Sequence, residues 1–253
     1  MKNMKQALVA HRGYNFSYPE NTLLAIESAL AVGAAYVEID VQFTADLKPV
    51  VVHDANLERL SGVSQNILDL ELAQCDNLSV HEPKRFGNKF YPQKIPTLQQ
   101  IVAFFSNYSD RHLIIEIKRA SIRRYGIQPI IDALIPVIAP IQQQCMIISF
   151  HSDLIQCLAD SGGVKVGYVF EDWDDETFAI ITRMQPHFLF TDYTSVPATI
   201  ESLPQGGWQW GVYTIDDAKT AVCWFEKGVA LVETNNIGHL ITQPLLQHFL
   251  FND

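Results

Sequence analysis

Residues 36–54, YVEIDVQFTADLKPVVVHD, determine how this chain can fold. Apolar and β-branched residues over 36–41 and 49–54 predict two β-strands. Parallel strands need a connection of about a dozen residues or more, so strands this close in sequence must form an antiparallel hairpin. A turn over residues 45–48 places Asp40 directly opposite His53 on one face of that hairpin. A slip of one residue in the pairing would turn His53 to the other face.

The rest of the chain alternates short apolar runs with longer amphipathic patterns. Further strands are predicted over residues 7–11, 112–118, 145–150, 165–170, 187–191, 209–214 and 230–234. Helices are predicted over residues 20–32, 97–108, 127–138, 153–161, 175–184, 197–203, 216–227 and 243–250. Eight alternating units in about 250 residues predict an α/β fold, a closed (β/α)8 TIM-type barrel, with the 49–54 hairpin strand added after the second barrel strand. An open doubly wound sheet is the alternative, but a dinucleotide-binding sheet would normally carry a glycine-rich first turn, which this sequence lacks.

No linker divides the chain, so residues 1–253 are predicted to form a single barrel domain. The longest irregular stretch covers residues 55–96 and is interrupted by several prolines. It follows the hairpin and is therefore expected on the side of the barrel mouth. Loops of this length are usually lids or binding elements, so we expect either a lid that shapes a substrate pocket or an insertion that serves packing alone.

Composition excludes several classes of protein. The chain has 18 Lys and Arg against 28 Asp and Glu, a net charge of −10, which argues against a binder of nucleic acid or of anionic membranes. No apolar run approaches the roughly 18 residues of a transmembrane helix, and the first residues lack the pattern of a signal peptide. The four cysteines form no C-x-x-C pair, which argues against a zinc knot or a disulfide framework. A cytoplasmic protein without stable membrane association is predicted, and its oligomeric state stays open.

Three predicted strands carry charged residues where a buried parallel strand should be apolar. Glu38 and Asp40 lie two residues apart and share a face, as do Glu116 and Lys118. If these side chains point inward, three carboxylates meet at one end of the barrel, where unpaired charge costs several kcal/mol per group. A divalent cation, Mg²⁺ or Ca²⁺, is the simplest compensation. The alternative is an inert ion network in which Arg12 and Lys118 neutralise the carboxylates.

Two histidines lie at predicted strand ends beside these acids, His11 after the first strand and His53 after the hairpin. Two imidazoles that face one reaction centre suit general acid and base catalysis near neutral pH. Arg12 and Lys118 could bind the oxygens of a phosphate ester, so the set indicates phosphate chemistry. The sequence has no G-x-S-x-G, P-loop or H-E-x-x-H motif, which removes the main support for serine hydrolases, nucleotide triphosphatases and zinc proteases.

The order of these residues resembles the glycerophosphodiester phosphodiesterases. The resemblance covers nearly the whole chain, and its ordered set is far more specific than any one tripeptide. It is carried by His11-Arg12-Gly13, Pro19-Glu20-Asn21-Thr22, Glu38-Ile39-Asp40-Val41, His53-Asp54 with Leu57 and Arg59, Glu116-Ile117-Lys118, Ser149-Phe150 and Gly211-Val212-Tyr213-Thr214.

The resemblance implies a phosphodiesterase barrel that cleaves glycerophosphodiesters to glycerol 3-phosphate and an alcohol, through a cyclic phosphate formed by the glycerol 2-hydroxyl. It implies one Mg²⁺ or Ca²⁺ ion held by Glu38, Asp40 and Glu116, with His11 and His53 as the acid–base pair in undetermined order. Substrate contacts would come from Arg12, Lys118, Tyr213 and Phe150. Glu20 and Asn21 are expected to shape the first loop and to cap its helix.

Two stretches depart from the family pattern. The late strand of the family commonly reads v-W-T-v-N, where this chain has Tyr213 for the Trp and Asp216 for the Asn. Near the last strand the family often reads D-G-I-x-T-D, where residues 230–235 read ALVETN. These changes put the support of the site and the substrate preference in doubt. A barrel phosphodiesterase acting on lysophospholipid or inositol head groups, or a catalytically silent binder of phosphorylated ligands, remains an alternative.

Overall fold

The computed structural model describes residues 6–251, and the side chains of residues 6–250. Its single sheet has nine strands in the order β1-β9-β8-β7-β6-β5-β4-β2-β3, and β1 also pairs with β2. All pairings are parallel except β2–β3, so eight parallel strands close into a barrel and β3 lies outside it. The strands are β1 (Ala7–Ala10), β2 (Tyr36–Phe43), β3 (Pro49–Val51), β4 (His112–Ile117), β5 (Cys145–Ser149), β6 (Lys165–Val169), β7 (Phe188–Asp192), β8 (Gln209–Tyr213) and β9 (Leu231–Thr234). The predicted barrel with its additional hairpin strand is confirmed.

Helices surround the barrel and also form parts of the 55–96 segment. They are α1 (Leu23–Ala31), α2 (Glu58–Ser61), α3 (Leu72–Cys75), α4 (Pro83–Phe86), α5 (Leu98–Phe105), α6 (Arg119–Tyr125), α7 (Ile127–Ile138), α8 (Ser152–Ser161), α9 (Asp175–Met184), α10 (Ala218–Glu226), α11 (Ile237–Leu240) and α12 (Gln247–Phe251). Short 3₁₀ helices cover Ile67–Asp69, Ala139–Gln144 and Pro244–Leu246. In the described part of the chain no single helix is long and apolar enough to cross a membrane. Two consecutive helical segments that meet at an angle of 117°, Arg119–Tyr125 and Ile127–Gln144, together have the length and apolar composition of a membrane span.

Strand alternation divides the apolar residues into two layers. One cluster fills the barrel interior and includes Val9, Ile114, Ile148 and Phe190, all buried. A larger cluster lies between the outer face of the strands and the helices. Side chains two positions beyond an inward-facing residue therefore also face inward, which brings the strand ends of the chain to a common mouth above the apolar interior.

The hairpin has a different register from the predicted one. Val41 pairs with Val51 and Phe43 with Pro49, so Asp40 lies opposite Val52 rather than His53. The loop is one residue shorter than expected, because Thr44 N–H donates to the Lys48 carbonyl and Leu47 takes a left-handed conformation with φ of 56°. Three-residue hairpin loops commonly place such a residue last. The predicted pairing of Asp40 with His53 is therefore wrong.

The predicted helix over residues 197–203 is also wrong. The chain between β7 and β8 forms turns, with a hydrogen bond from the Ile200 N–H to the Pro197 carbonyl. The indole N–H groups of Trp208 and Trp210 both donate to the Pro204 carbonyl, at 3.3 and 3.0 Å. A helix that starts at Pro197 and must end before Pro204 has at most about two turns, which is too short to be stable on helix propensity alone. The predicted helices over 127–138 and 175–184 coincide with α7 and α9, whereas α6 was not predicted.

Residues 55–96 pack around an apolar cluster that they form together with the end of the hairpin. Nine buried residues form it, namely Val50, Val52, Leu57, Leu60, Ile67, Leu68, Cys75, Val80 and Ile95. The segment is tied to the loop after β1, because Glu82 accepts a hydrogen bond from the Glu20 N–H at 2.7 Å and Arg85 donates to the Asn15 carbonyl at 2.6 Å. The segment is thus an ordered layer that shares an apolar core with the hairpin strand and is joined to the first loop through polar contacts.

Candidate active site

A cavity of about 510 Å³ opens at the carboxyl ends of the barrel strands. This is the end at which TIM barrels place their active sites. Seven of the nine predicted site residues line it: His11, Arg12, His53, Glu116, Lys118, Phe150 and Tyr213. The other two, Glu38 and Asp40, are each 1% exposed. The structure therefore brings the predicted set to one mouth.

Three carboxylates form a compact cluster at this mouth. Each of Glu38, Asp40 and Glu116 offers an oxygen within 4.8 Å of the others. Glu38 and Asp40 face inward from β2, and Glu116 is the register partner of Asp40 on β4. Among residues 6–250, Glu38 Oε1 is buried without a hydrogen-bond partner. Hard oxygen donors at this spacing, one of them unsatisfied, fit a Mg²⁺ or Ca²⁺ ion.

The electrostatics of the cluster favour a cation in the same way. Burial and then the charge of Asp40 raise the pKa of Glu38 well above its ordinary value. Burial also raises the pKa of Glu116, although Lys118 opposes this. The pKa of Asp40 is lowered, because Lys118 and Arg12 outweigh the effect of its burial. Two of the three carboxylates thus carry a cost, chiefly of burial, that the side chains around them do not offset, and a divalent cation would offset it.

Arg12 and Lys118 already pair with the acids. Arg12 Nε lies 3.1 Å from Asp40 Oδ2, and Lys118 Nζ lies 3.1 Å from Asp40 Oδ1 and 2.7 Å from Glu116 Oε1. The backbone of Arg12 is left-handed, with φ of 54°, and its N–H donates to Glu38 Oε2 at 2.9 Å. Gly13 follows with φ of 76°, where an added Cβ would lie 2.7 Å from the backbone of Ala25. This glycine allows the first loop to pass tightly over α1.

Glu20 and Asn21 do more than shape the first loop. The expectation that they cap α1 is wrong, since Thr22 is the cap residue and its hydroxyl accepts from the Ala25 N–H. Asn21 holds Asp40 from two sides, by donating to Oδ2 at 2.8 Å and by accepting from the Asp40 N–H at 3.0 Å. Glu20 accepts hydrogen bonds from the guanidinium groups of both Arg12 and Arg59.

His11 is oriented by Asn235, one of the residues that departs from the family pattern. Its Nδ1 lies 2.9 Å from Asn235 Oδ1. The amide cannot be reversed, because Asn235 Nδ2 donates to Asp216 Oδ2 at 2.9 Å and Asn15 donates to Oδ1 at 2.7 Å. Nδ1 must therefore carry the proton, and Nε2 keeps its lone pair. Burial, and then Arg12, lower the pKa of His11 to about 4. The two residues that depart from the family pattern, Asp216 and Asn235, are hydrogen-bonded to each other. Relative to that pattern, the Asp and the Asn of this pair have exchanged places.

His53 has a carboxylate partner instead. Its Nδ1 lies 2.6 Å from Asp54 Oδ1, and Asp54 in turn accepts from Arg59 Nε at 2.7 Å. The His53 carbonyl accepts from Gln42 Nε2 at 3.0 Å. Because β3 ends at Val51, the chain has left the strand before His53, and the side chain reaches the cavity despite the changed register.

The sequence reasoning missed six polar residues that line the cavity: Glu171, Asp192, Tyr193, Thr194, Thr214 and Glu233. Glu233 is 3% exposed on β9, and burial together with the charge of Glu116 raises its pKa to about 8. The signal for Glu233 was present, since it lies two positions after the inward-facing Leu231 on a buried strand. Tyr193 lies beyond the end of β7, where alternation predicts no side-chain direction.

Comparison with known proteins agrees with this geometry. The model of the glycerophosphoryl diester phosphodiesterase family matches residues 11–239. The glycerophosphodiester phosphodiesterase of Caldanaerobacter subterraneus subsp. tengcongensis is 28% identical over 242 residues, 94% of this chain and 97% of that protein. A phosphodiesterase from Oleispira antarctica, solved in complex with the product sn-glycerol-3-phosphate, has a TM-score of 0.80 at 22% identity and covers 94% of this chain and 96% of that one. The glycerophosphodiester phosphodiesterase of Thermotoga maritima has a TM-score of 0.69 at 25% identity, covering 93% of this chain and 97% of that one. The chain belongs to the glycerophosphoryl diester phosphodiesterase family.

Proposed function

We propose that this protein hydrolyses glycerophosphodiesters to glycerol 3-phosphate and an alcohol. The observation that carries the proposal is the pair of histidines at one cavity, His11 hydrogen-bonded to an amide and His53 to a carboxylate, beside three clustered carboxylates. The names of the relatives and the product bound in the Oleispira antarctica structure point to the same reaction.

Glu38, Asp40 and Glu116 would hold one divalent cation, either Mg²⁺ or Ca²⁺, since both accept carboxylate oxygens. When bound, such an ion supplies Lewis-acid stabilisation of the charge that develops on phosphate oxygens. Arg12 and Lys118 would turn from Asp40 toward the phosphate and add two positive charges there. Tyr213 and Phe150 would pack against the rest of the substrate.

The hydrogen-bond partners favour one order in which the histidines would act. His11 Nε2 takes the proton of the glycerol 2-hydroxyl while that oxygen bonds to phosphorus. His53, whose Nδ1 is held by Asp54, gives a proton to the leaving alcohol as its bond to phosphorus breaks. The cyclic phosphate then opens in reverse: His53 takes a proton from the attacking water, and His11 returns its proton to the 2-oxygen.

The proposal extends to the size of the substrate, the catalytic unit and the compartment of the enzyme. The substrate is a small molecule, residues 1–253 act as one catalytic unit, and the compartment is the cytoplasm. The four cysteines are free thiols, as a reducing compartment requires. Lysophospholipid or inositol esters are the alternative substrates, and a silent binder is the alternative to catalysis.

The test is release of glycerol 3-phosphate from glycerophosphocholine and glycerophosphoethanolamine after chelation, with Mg²⁺ or Ca²⁺ restored separately. We expect metal-dependent release that Glu116→Gln abolishes. His53→Ala should abolish turnover and leave ligand binding largely intact. Arg124→Ala is the control, because that side chain pairs with the exposed Asp69 and lies outside the cavity wall. Normal hydrolysis by His53→Ala would refute its role, and no release by folded protein with either metal would refute the proposal.

A further inference from the structure

The cations of the cavity lie in one half, together with the carboxylate cluster of Glu38, Asp40 and Glu116. All basic and imidazole side chains of the cavity wall lie on the side of β1, β3 and β4: His11, Arg12, His53 and Lys118. The half built from β5 to β9 contributes three carboxylates, Glu171, Asp192 and Glu233, and among the described residues it contributes no Lys, Arg or His to the cavity wall. A phosphate bound between the cations would leave the rest of the substrate in the half built from β5 to β9.

One of these carboxylates is buried and unsatisfied. Glu233 is 3% exposed, and its Oε1 has no hydrogen-bond partner within residues 6–250. A buried carboxylate oxygen without a donor is costly, so its place in the cavity wall calls for a donor or a cation from the ligand. One oxygen of Asp192 is already hydrogen-bonded, because its Oδ1 accepts from the N–H and the hydroxyl of Thr194 at 2.8 and 2.7 Å. Glu171 is exposed and forms no ion pair with any described residue.

Aromatic faces lie among the carboxylates. Tyr193 and Tyr213 both line this half of the cavity. Burial, followed by the charges of Glu233 and Glu116 and then of Glu171 and Asp192, raises the pKa of Tyr213. Phe150 already has the guanidinium of Arg119 at 4.7 Å from its ring centre, and the ring of Tyr193 packs against Trp224 with ring centres 6.4 Å apart. Among the described residues of this half, Tyr213 therefore offers the ring face without an aromatic or cationic partner. Aromatic rings and carboxylates together are the means by which proteins bind organic ammonium groups.

We infer that the half of the cavity formed by Glu171, Asp192, Tyr193, Tyr213 and Glu233 binds an ammonium group on the alcohol that the phosphodiester carries. The inference rests on the proposed function, because the phosphate must lie against Arg12 and Lys118 for the alcohol to reach this half. It selects diesters of amino or quaternary ammonium alcohols over diesters of neutral alcohols such as glycerol or inositol.

The experiment compares kcat/KM for glycerophosphocholine with kcat/KM for glycerophosphoglycerol, which presents the same phosphodiester with a neutral alcohol. We expect a preference of about tenfold for the choline ester at low salt, which falls at 0.5 M NaCl because exposed charges are screened. Glu171→Gln should lower the ratio of the two values about three- to fivefold. Asp172→Asn is the matched control, since Asp172 is the next residue and lies outside the cavity wall.

Choline chloride alone provides a second readout that needs no turnover. It should compete with glycerophosphocholine, and its binding, followed by NMR line broadening, should weaken in Glu171→Gln but not in Asp172→Asn. Hydrolysis of both esters at equal kcat/KM, or choline binding unaffected by Glu171→Gln, would overturn the ammonium site while the phosphodiesterase activity stood. Choline binding that depends on Glu171 without hydrolysis of either ester would support the site and refute the proposed function.

Discussion

Exchange of the two residues behind His11 should move the pH dependence of the enzyme. In the double variant Asp216→Asn and Asn235→Asp the charges are conserved, and the hydrogen bond between the two side chains can form again with donor and acceptor reversed. The carboxylate now lies at Nδ1 of His11, where the amide oxygen lies 2.9 Å away in the parent. A hydrogen bond to a charged group contributes about 1–2 kcal/mol more than one to a neutral group. At about 1.4 kcal/mol for each pKa step, the pKa of His11 should rise from about 4 to about 5.

The assay is the pH profile of kcat/KM, whose acidic limb reports the base of the free enzyme. If His11 is that base, protonation removes activity as the pH falls, so a higher pKa moves the limb to higher pH by about one. The single variant Asn235→Leu is the control, because it removes the acceptor of Nδ1 without adding charge and should lower kcat more than it changes KM. An acidic limb that stays in place in the double variant, or moves to lower pH, would refute the assignment of His11 as the base.

Three further variants test the residues that support the site. Gly13→Ala should lower the free energy of unfolding, measured in urea, by about 2–4 kcal/mol, because the added Cβ would overlap the backbone of Ala25. Gly87→Ala is the control, because Gly87 has a similar φ in open space, and it should lower the same free energy by about 1 kcal/mol. Equal losses in the two variants would contradict the close packing of the first loop. Glu38→Gln should raise the Tm of metal-free protein by about 2–4 °C, since it removes a repelled buried charge, and should abolish the Tm increase on adding Mg²⁺ or Ca²⁺; an unchanged metal response would exclude Glu38 as a ligand. Arg59→Lys should lower kcat about tenfold with little change in KM, because one ammonium cannot replace the fork of a guanidinium, while Arg124→Ala keeps full activity; full activity in Arg59→Lys would show that this fork is dispensable.

Strand alternation explains why most of the site could be predicted from sequence. Glu38 and Asp40 lie on the face of β2 opposite the apolar Val37 and Ile39, and Glu116 shares the face of Ile114 on β4. Their common direction therefore follows from a period of two. The same rule, applied to the last strand, would have found Glu233. His53 was found through a wrong register, because Leu47 adopts a left-handed turn that no local pattern indicated.

Residues that act from loops could not be predicted in this way. The contact of Asp216 with Asn235 joins two loops that follow different strands, and nothing in either stretch alone indicates the other. Tyr193 follows the last residues of β7, in a connection where a helix was expected and turns are found. Sequence periodicity describes strands and helices, whereas these positions depend on where loops of neighbouring units meet.

The position of Arg59 bears on how this barrel could be re-engineered. Its guanidinium binds Glu20 and Asp54 at once. Replacing residues 55–96 with a loop from another barrel would therefore remove the residue that links the acid beside Arg12 to the acid beside His53. The connection between β7 and β8 places Tyr193 and Thr194 in the cavity wall from a turn. Neither of these two residues contributes to the ion pairs that hold Glu20 and Asp54. Libraries intended to widen the choice of substrate should therefore vary residues 193–208 and leave residues 55–96 intact.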